Sequence, residues 1–293
     1  MNILGILLGL MSGLSEASLN TVINKAKNKY AAITVGFAQL LLIFPVACIW
    51  LIFVPKPEHT VELYVYLTLF AILNVLGRIL YIRSIQLSGL SKTVPFLSFT
   101  PIFLIFIGYA VLGEIPSGAG ILGVVLVAFG AYGIACTKVG EPLTMAFKNV
   151  TRDKGVLLIL ATAFIWSLTS SVGRKAVLLS SANFFFIFAM ISQFVIFFAL
   201  NWKQTGLKKT IHYIRTDWKF FIIVSLFLAI MELAIFTAFG LTKVAYAISM
   251  KRTAILFSVL FGFLFFKEGG FRKNIVAATV MVTGVIVITL FGK

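Results

Sequence analysis

The chain has 293 residues, 60% of them hydrophobic, with a mean hydropathy of +1.07. That composition excludes a soluble domain and describes a polytopic membrane protein. The formal net charge is +16, but the cations are dispersed between apolar runs, which excludes a basic nucleic-acid-binding domain.

Taken in order, the apolar runs predict ten membrane-spanning helices. Helix 1 covers about 3–23 and carries Gly5, Gly9 and Gly13, a small-residue ridge that permits close helix packing. No cationic region precedes it, so it is expected to be a retained helix and not a cleaved signal. Glu16 lies in it, flanked by Ser15, Ser18 and Asn20. A carboxylate at that depth either pairs with a cation or accepts a proton. Helix 2 covers 31–54, and Pro55 and Pro57 follow it. Helix 3 covers 61–85, with Asn74, Arg78, Tyr81 and Arg83. Helix 4 covers 92–112 and contains Pro95 and Pro101, which free carbonyls and kink a helix. Helix 5 covers 119–137 and is rich in Gly and Ala. A polar linker at 138–154 divides the chain into two halves, 1–137 and 155–293.

The second half repeats the plan. Helix 6 covers 155–177, with Trp166 and, near its end, Arg174 and Lys175. Helix 7 covers 183–201 and is rich in phenylalanine. A basic loop at 202–219 precedes helix 8 at 220–241, which holds Glu232. Helix 9 runs over 244–268 as one apolar stretch. It carries Tyr246, is interrupted by the adjacent Lys251 and Arg252, and ends at Lys267-Glu268. Helix 10 covers 274–291.

An ungapped shift of 154 residues superimposes the halves. It aligns Leu87 with Leu241, Phe103 with Phe257, Gly108 with Gly262, Glu114 with Glu268 and Gly130 with Gly284. Glycines and helix-ending glutamates in one register are harder to obtain by chance than apolar matches. An odd number of helices per half makes the two repeats enter the membrane in opposite senses. That is the inverted-repeat plan of carriers that alternate access around a midplane site.

Three motifs then reach a known family. Pro101 is followed by Leu112-Gly113-Glu114; helix 9 ends in Phe265-Phe266-Lys267-Glu268; and Trp166-Ser167 is followed by Arg174-Lys175. The chain resembles the ten-helix, EamA-type members of the drug/metabolite transporter superfamily over essentially its whole length. It departs from the pattern in three places. Ile255 stands where helix 9 often has a second proline, Lys267 is the counterpart of Gly113, and Ser12 stands where the first half usually has a tryptophan. The resemblance implies a carrier in a cell membrane, the bacterial inner membrane being expected. Its central cavity would be lined by helices 1, 3, 4, 6, 8 and 9, with helices 5 and 10 at the periphery. The superfamily's substrates range from amino acids to sugar phosphates and drugs, so the resemblance selects none.

Charges inside spanning helices mark substrate pathways by default. The candidate lining is Lys251, Arg252, Arg78, Tyr81, Trp166, Tyr246, Asn20 and Asn74, with Glu16 and Glu232 as proton-coupling or ion-pair groups. Arg78 and Glu232 are equivalent under the 154-residue shift, and a buried pair between them is expected. That leaves Glu16 against two cations, a site suited to a carboxylate, phosphate or sulfate. Adjacent residues point about 100° apart on a helix, so one of Lys251 and Arg252 is expected to serve substrate while the other packs or snorkels. The expected function is a secondary carrier of small organic anions or amino-acid-like solutes. The alternatives are a proton-coupled amino-acid or drug exporter and, remotely, a membrane-embedded lipid-modifying enzyme. No catalytic arrangement, metal cluster or disulfide framework is visible. Cys48 and Cys136 lie in apolar runs, and His59 and His212 stand alone in loops. The chain is therefore expected to be no enzyme and to need no cofactor. Its partners would be substrate and lipid, not nucleic acid, and it would act as a monomer or homodimer. Loops after odd-numbered helices hold most of the Lys and Arg, so the positive-inside rule puts both termini outside, whereas members of the resembled family usually place them in the cytoplasm.

Overall fold

The structure, a computed structural model, describes residues 2–25, 29–88, 93–139, 153–266 and 275–292. Every regular element among them is helical. The second helix-ending pair, Lys267 and Glu268, lies outside the described residues, as does most of the linker.

The helices are α1 (Ile3–Lys25), α2 (Ala32–Phe53), α3 (Val61–Ser88), α4 (Thr100–Leu112) and α5 (Gly118–Val139) in the first half. The second half has α6 (Lys154–Leu179), α7 (Ala182–Gln204), α8 (Leu207–Thr216), α9 (Trp218–Leu241), α10 (Val244–Arg252), α11 (Ala254–Phe266) and α12 (Ile275–Phe291). Six of them are long and apolar enough to cross a membrane: α1, α2, α3, α6, α7 and α9. Shorter apolar helices run over Phe96–Leu112, Gly118–Gly133 and Ile275–Phe291. Local chemistry fixes several ends. The Asp153 carboxylate accepts from the Gly155 and Val156 N–H groups and starts α6, and the Ser181 hydroxyl accepts from Phe184 N–H and starts α7. Gly113 closes α4 in the left-handed region at φ 67°, its N–H donating to the Tyr109 carbonyl at 2.9 Å.

Two corrections to the expected elements bear on function. The stretch read as one ninth helix is two, α10 and α11, broken at Thr253. Its counterpart in the first half is also discontinuous: a 3-10 segment, Val94–Phe99, gives way to α4 at Thr100. The breaks are equivalent, since Ala254 and Phe266 bound α11 as Thr100 and Leu112 bound α4, each displaced by 154 residues. The second correction is α8, an amphipathic helix inside the basic loop at 202–219.

Packing follows the repeat. α3 lies against α6 as α1 lies against α9; α6 lies against α4 as α1 lies against α10 and α11; α2 pairs with α7 and α5 with α12. Each contact reappears when the halves are exchanged. Glycine makes the closest of them possible. A Cβ on Gly130 would come within 2.6 Å of the Met281 backbone, and one on its repeat equivalent Gly284 within 2.7 Å of the Gly123 carbonyl oxygen. The expected Gly5–Gly9–Gly13 ridge of α1 faces Leu241 and Thr242, then Met250, then the Lys251 carbonyl beside the Thr253 break. The core of the bundle is aliphatic and aromatic, with Phe70, Phe185 and Phe236 meeting edge to face.

Candidate functional site

Glu16 on α1, Arg78 on α3, Glu232 on α9, and Lys251 and Arg252 at the end of α10 converge on one region of the bundle interior. Lys251 Nζ lies 4.0 Å from Glu16 Oε2, with 17% and 25% of the two side chains open. Glu232 is within electrostatic reach of Lys251, Glu16 and Arg78; Arg252 of Glu16 and Tyr81; Tyr81 of Arg78. Glu16 and Glu232 each lie nine residues from the C-terminal ends of their helices, roughly 14 Å along the axis. The cluster therefore sits at mid-depth, where charge is costly unless it faces partners or water. Three cations face two carboxylates, leaving an excess of one positive charge.

The helix breaks build this site. Lys251 and Arg252 occupy the last turn of α10, where a cation offsets the negative end of the helix dipole. Arg252 Nη2 donates to Thr100 Oγ1 at 3.1 Å, so the side chain at one break holds the residue that opens α4 at the other. Gly13 lets α1 approach the Lys251 carbonyl, which brings Glu16, one turn further on, beside Lys251. Among the described residues no side chain or carbonyl accepts a hydrogen bond from the Lys251 ammonium, and Glu16 Oε2 likewise has no hydrogen-bond partner.

An aromatic wall adjoins the charges. The rings of Tyr81 on α3 and Trp166 on α6 lie 5.4 Å apart, and Gly77 lets the α3 backbone approach the indole. Asn74 is half-buried on α3; Asn20 is exposed on α1; neither hydrogen-bonds to a described residue. Two expectations are corrected. Among the described residues Arg78 and Glu232 form no ion pair; the Arg78 guanidinium sits 4.9 Å over the Phe197 ring instead. Tyr246 is 1% exposed, its hydroxyl against Gly120 on α5, so it presents no open surface to a solute.

Sequence reasoning missed a second ionic centre at one end of the bundle. Glu114, just past α4, pairs with Arg174 of α6 and accepts from the Val244 N–H at 3.0 Å, capping α10. Arg174 also donates to the carbonyls of Phe239 and Thr242 at the end of α9. Four elements are tied there by two side chains that are 14% and 11% exposed. Lys175 beside it meets Glu62 at 3.4 Å. The motif residues were visible in the sequence, but their partnership joins positions 60 apart that only the α4–α6 packing brings together. Among the described residues no group of three His, Cys, Asp or Glu is placed to hold a metal.

The model of the EamA-like transporter family matches residues 3–136 and 153–290. No curated protein matches the sequence. In fold, the chain superposes on the crystal structure of another protein with a TM-score of 0.75 and 14% identity, covering 100% of this chain and 98% of that one. At that identity the likeness shows a shared fold.

Proposed function

The chain belongs to the EamA-like transporter family and is a multi-pass membrane transporter of the drug/metabolite kind; we propose that it is a secondary carrier of small organic anions working by alternating access. On this reading the membrane is crossed ten times, by two inverted five-helix halves, with each broken helix counted as one crossing. The single observation that carries the substrate class is the mid-depth cluster of Lys251, Arg252 and Arg78 against Glu16 and Glu232. Arg252 gives Nη2 to Thr100 and keeps a buried, unpartnered Nε, and Arg78 lies over the Phe197 face. Lys251 is the ammonium available to a carboxylate, phosphate or sulfate, and the Tyr81–Trp166 wall supports the remainder of a small solute. The equivalent helix breaks at Thr100 and Thr253 adjoin this cluster, in keeping with the discontinuous helices that carriers place around a central site.

The open hydrogen-bonding position on Glu16 favours a second reading, a proton-coupled exporter in which protonation of Glu16 releases Lys251. Proteoliposomes loaded in turn with labelled organic anions, zwitterions and cations separate the two. The first reading predicts transport of anions. Transport confined to neutral or cationic compounds, and driven by a pH gradient, supports the second.

A further inference from the structure

We propose that α8 is a binding surface for the phosphate headgroups of anionic phospholipids. The proposal rests on the chain's lying in a membrane, not on what it carries. α8 joins α7 to α9, two of the apolar spanning helices, so it lies at the membrane surface where they emerge. Its ten residues, LKKTIHYIRT, are sharply two-faced. Thr210 is buried and Leu207, Tyr213 and Ile214 are half-buried, facing α2 and α9. Lys208, Lys209, His212 and Arg215 are all exposed, and their spacing keeps them off the packed face.

The helix is held rather than draped. Asn201 Nδ2 donates to Thr210 Oγ1 at 3.0 Å, and Thr210 donates to the Gly206 carbonyl at 3.0 Å. Gly206 at φ 79° makes the turn that reverses the chain into α8. At the far end Asp217 accepts from both Lys29 and Tyr30. Asp217 is the one carboxylate between 202 and 219, and that engagement leaves the outward charge of Lys203, Lys208, Lys209, Arg215 and Lys219 without a carboxylate partner among the described residues.

Two features select lipid over a soluble polyanion. Trp202 and Trp218, which flank α8, are 64% and 54% exposed, and an exposed indole at each end is the mark of the headgroup layer. Ile211, 36% exposed, stands among the cations, as on a helix that lies in the interface plane with lysines reaching up to phosphates. A preformed row of cations at that depth attracts anionic headgroups over zwitterionic ones, by roughly fivefold for each cation engaged.

The two exposed tryptophans provide the readout. The full chain is reconstituted in phosphatidylcholine vesicles containing brominated phosphatidylglycerol or, at equal mole fraction, brominated phosphatidylcholine. The W202F/W218F chain gives the background from Trp50 and Trp166. Phosphatidylglycerol is expected to quench Trp202 and Trp218 with a several-fold higher association constant than phosphatidylcholine. That preference should collapse towards unity in K208Q/K209Q/R215Q and in about 1 M salt, where the Debye length is about 3 Å. It should survive in the charge-conserving K208R/K209R/R215K chain. Equal quenching of the unmodified chain by the two lipids overturns the proposal, and so does a preference that persists in K208Q/K209Q/R215Q.

Discussion

At the scale of single residues, the chemistry rests on which cation faces a carboxylate with its donors free. Arg252 gives one N–H to Thr100 and keeps Nε unpartnered, Arg78 lies over an aromatic face, and Lys251 faces Glu16 at 4.0 Å with no hydrogen bond among the described residues. Lys251→Gln should therefore weaken binding of an anionic substrate by about tenfold or more while leaving the amount of folded protein unchanged, because a charge-assisted bond is lost. Binding titrations on purified protein check this, and unchanged affinity would make Lys251 a packing residue. That these charges matter was legible in the sequence, because an ionised group inside an apolar run is too costly to persist there without a role. Their pairing was not. Repeat symmetry suggested Arg78 with Glu232, but symmetry-related positions need not touch, and Phe197 offered Arg78 a closer surface. A second pair, outside the spanning segments, is pH-sensitive. The hydrogen bond from Lys29 holds the Asp217 carboxyl below its ordinary range, and the bond to Asp217 raises the Lys29 ammonium above its own. The Asp217 contribution is present above the carboxyl's unfolded value and is lost as pH falls through its depressed folded value. The Lys29 contribution is present below its unfolded value and is lost as pH rises through its raised folded value. Thermal unfolding of the unmodified chain should thus show a small loss of Tm at both extremes relative to D217N, and parallel pH profiles would contradict the tie.

At the scale of elements, Glu114 and Arg174 hold α4, α6, α9 and α10 together at one end of the bundle. Removing either partner strands the other in a poorly hydrated place, which costs about 3 kcal/mol or more. Glu114→Ala and Arg174→Ala should each lower Tm clearly. The double variant should be less destabilised than the sum, since the two changes delete one interaction. Additive effects in that cycle would mean that the pair is not coupled. The same elements show where sequence reading stops. Pro95 and Pro101 announced the irregular entry to α4, because proline removes a donor and collides with the preceding turn. Nothing local announced the break at Thr253, where the run Lys251-Arg252-Thr253-Ala254-Ile255 has neither Pro nor Gly. Packing accompanies it there: α1 at Gly13 comes so near the Lys251 carbonyl that a Cβ would lie 2.8 Å from it, and Arg252 reaches across to Thr100. α8 was legible in principle, because Leu207, Thr210 and Ile214 recur at helical spacing. Its lysines and short length made it resemble a basic loop.

At the scale of the whole molecule, the duplicated sequence, the equivalent helix breaks and the exchangeable helix contacts describe one arrangement built twice. The ungapped 154-residue register made this legible, because a fold made of two copies leaves a trace that composition alone cannot. Charge predicts an orientation. On the side that carries the loops after even-numbered helices, Arg174 and Lys175 are matched by Glu114 and Glu62. The opposite side carries α8 and its exposed cations. From the positive-inside rule we propose that α8 faces the cytoplasm and both termini lie outside. A C-terminal alkaline phosphatase fusion should be active and a C-terminal fluorescent fusion dark, and the reverse pattern would turn the molecule over. The central claim, that a small organic anion is carried around the Lys251 site, is tested most directly by counterflow. Proteoliposomes preloaded with an unlabelled organic anion are diluted into a trace of the same anion carrying a label. A carrier predicts a transient accumulation of label above equilibrium that is abolished by K251Q. A monotonic approach to equilibrium, or an overshoot that K251Q leaves intact, would contradict it.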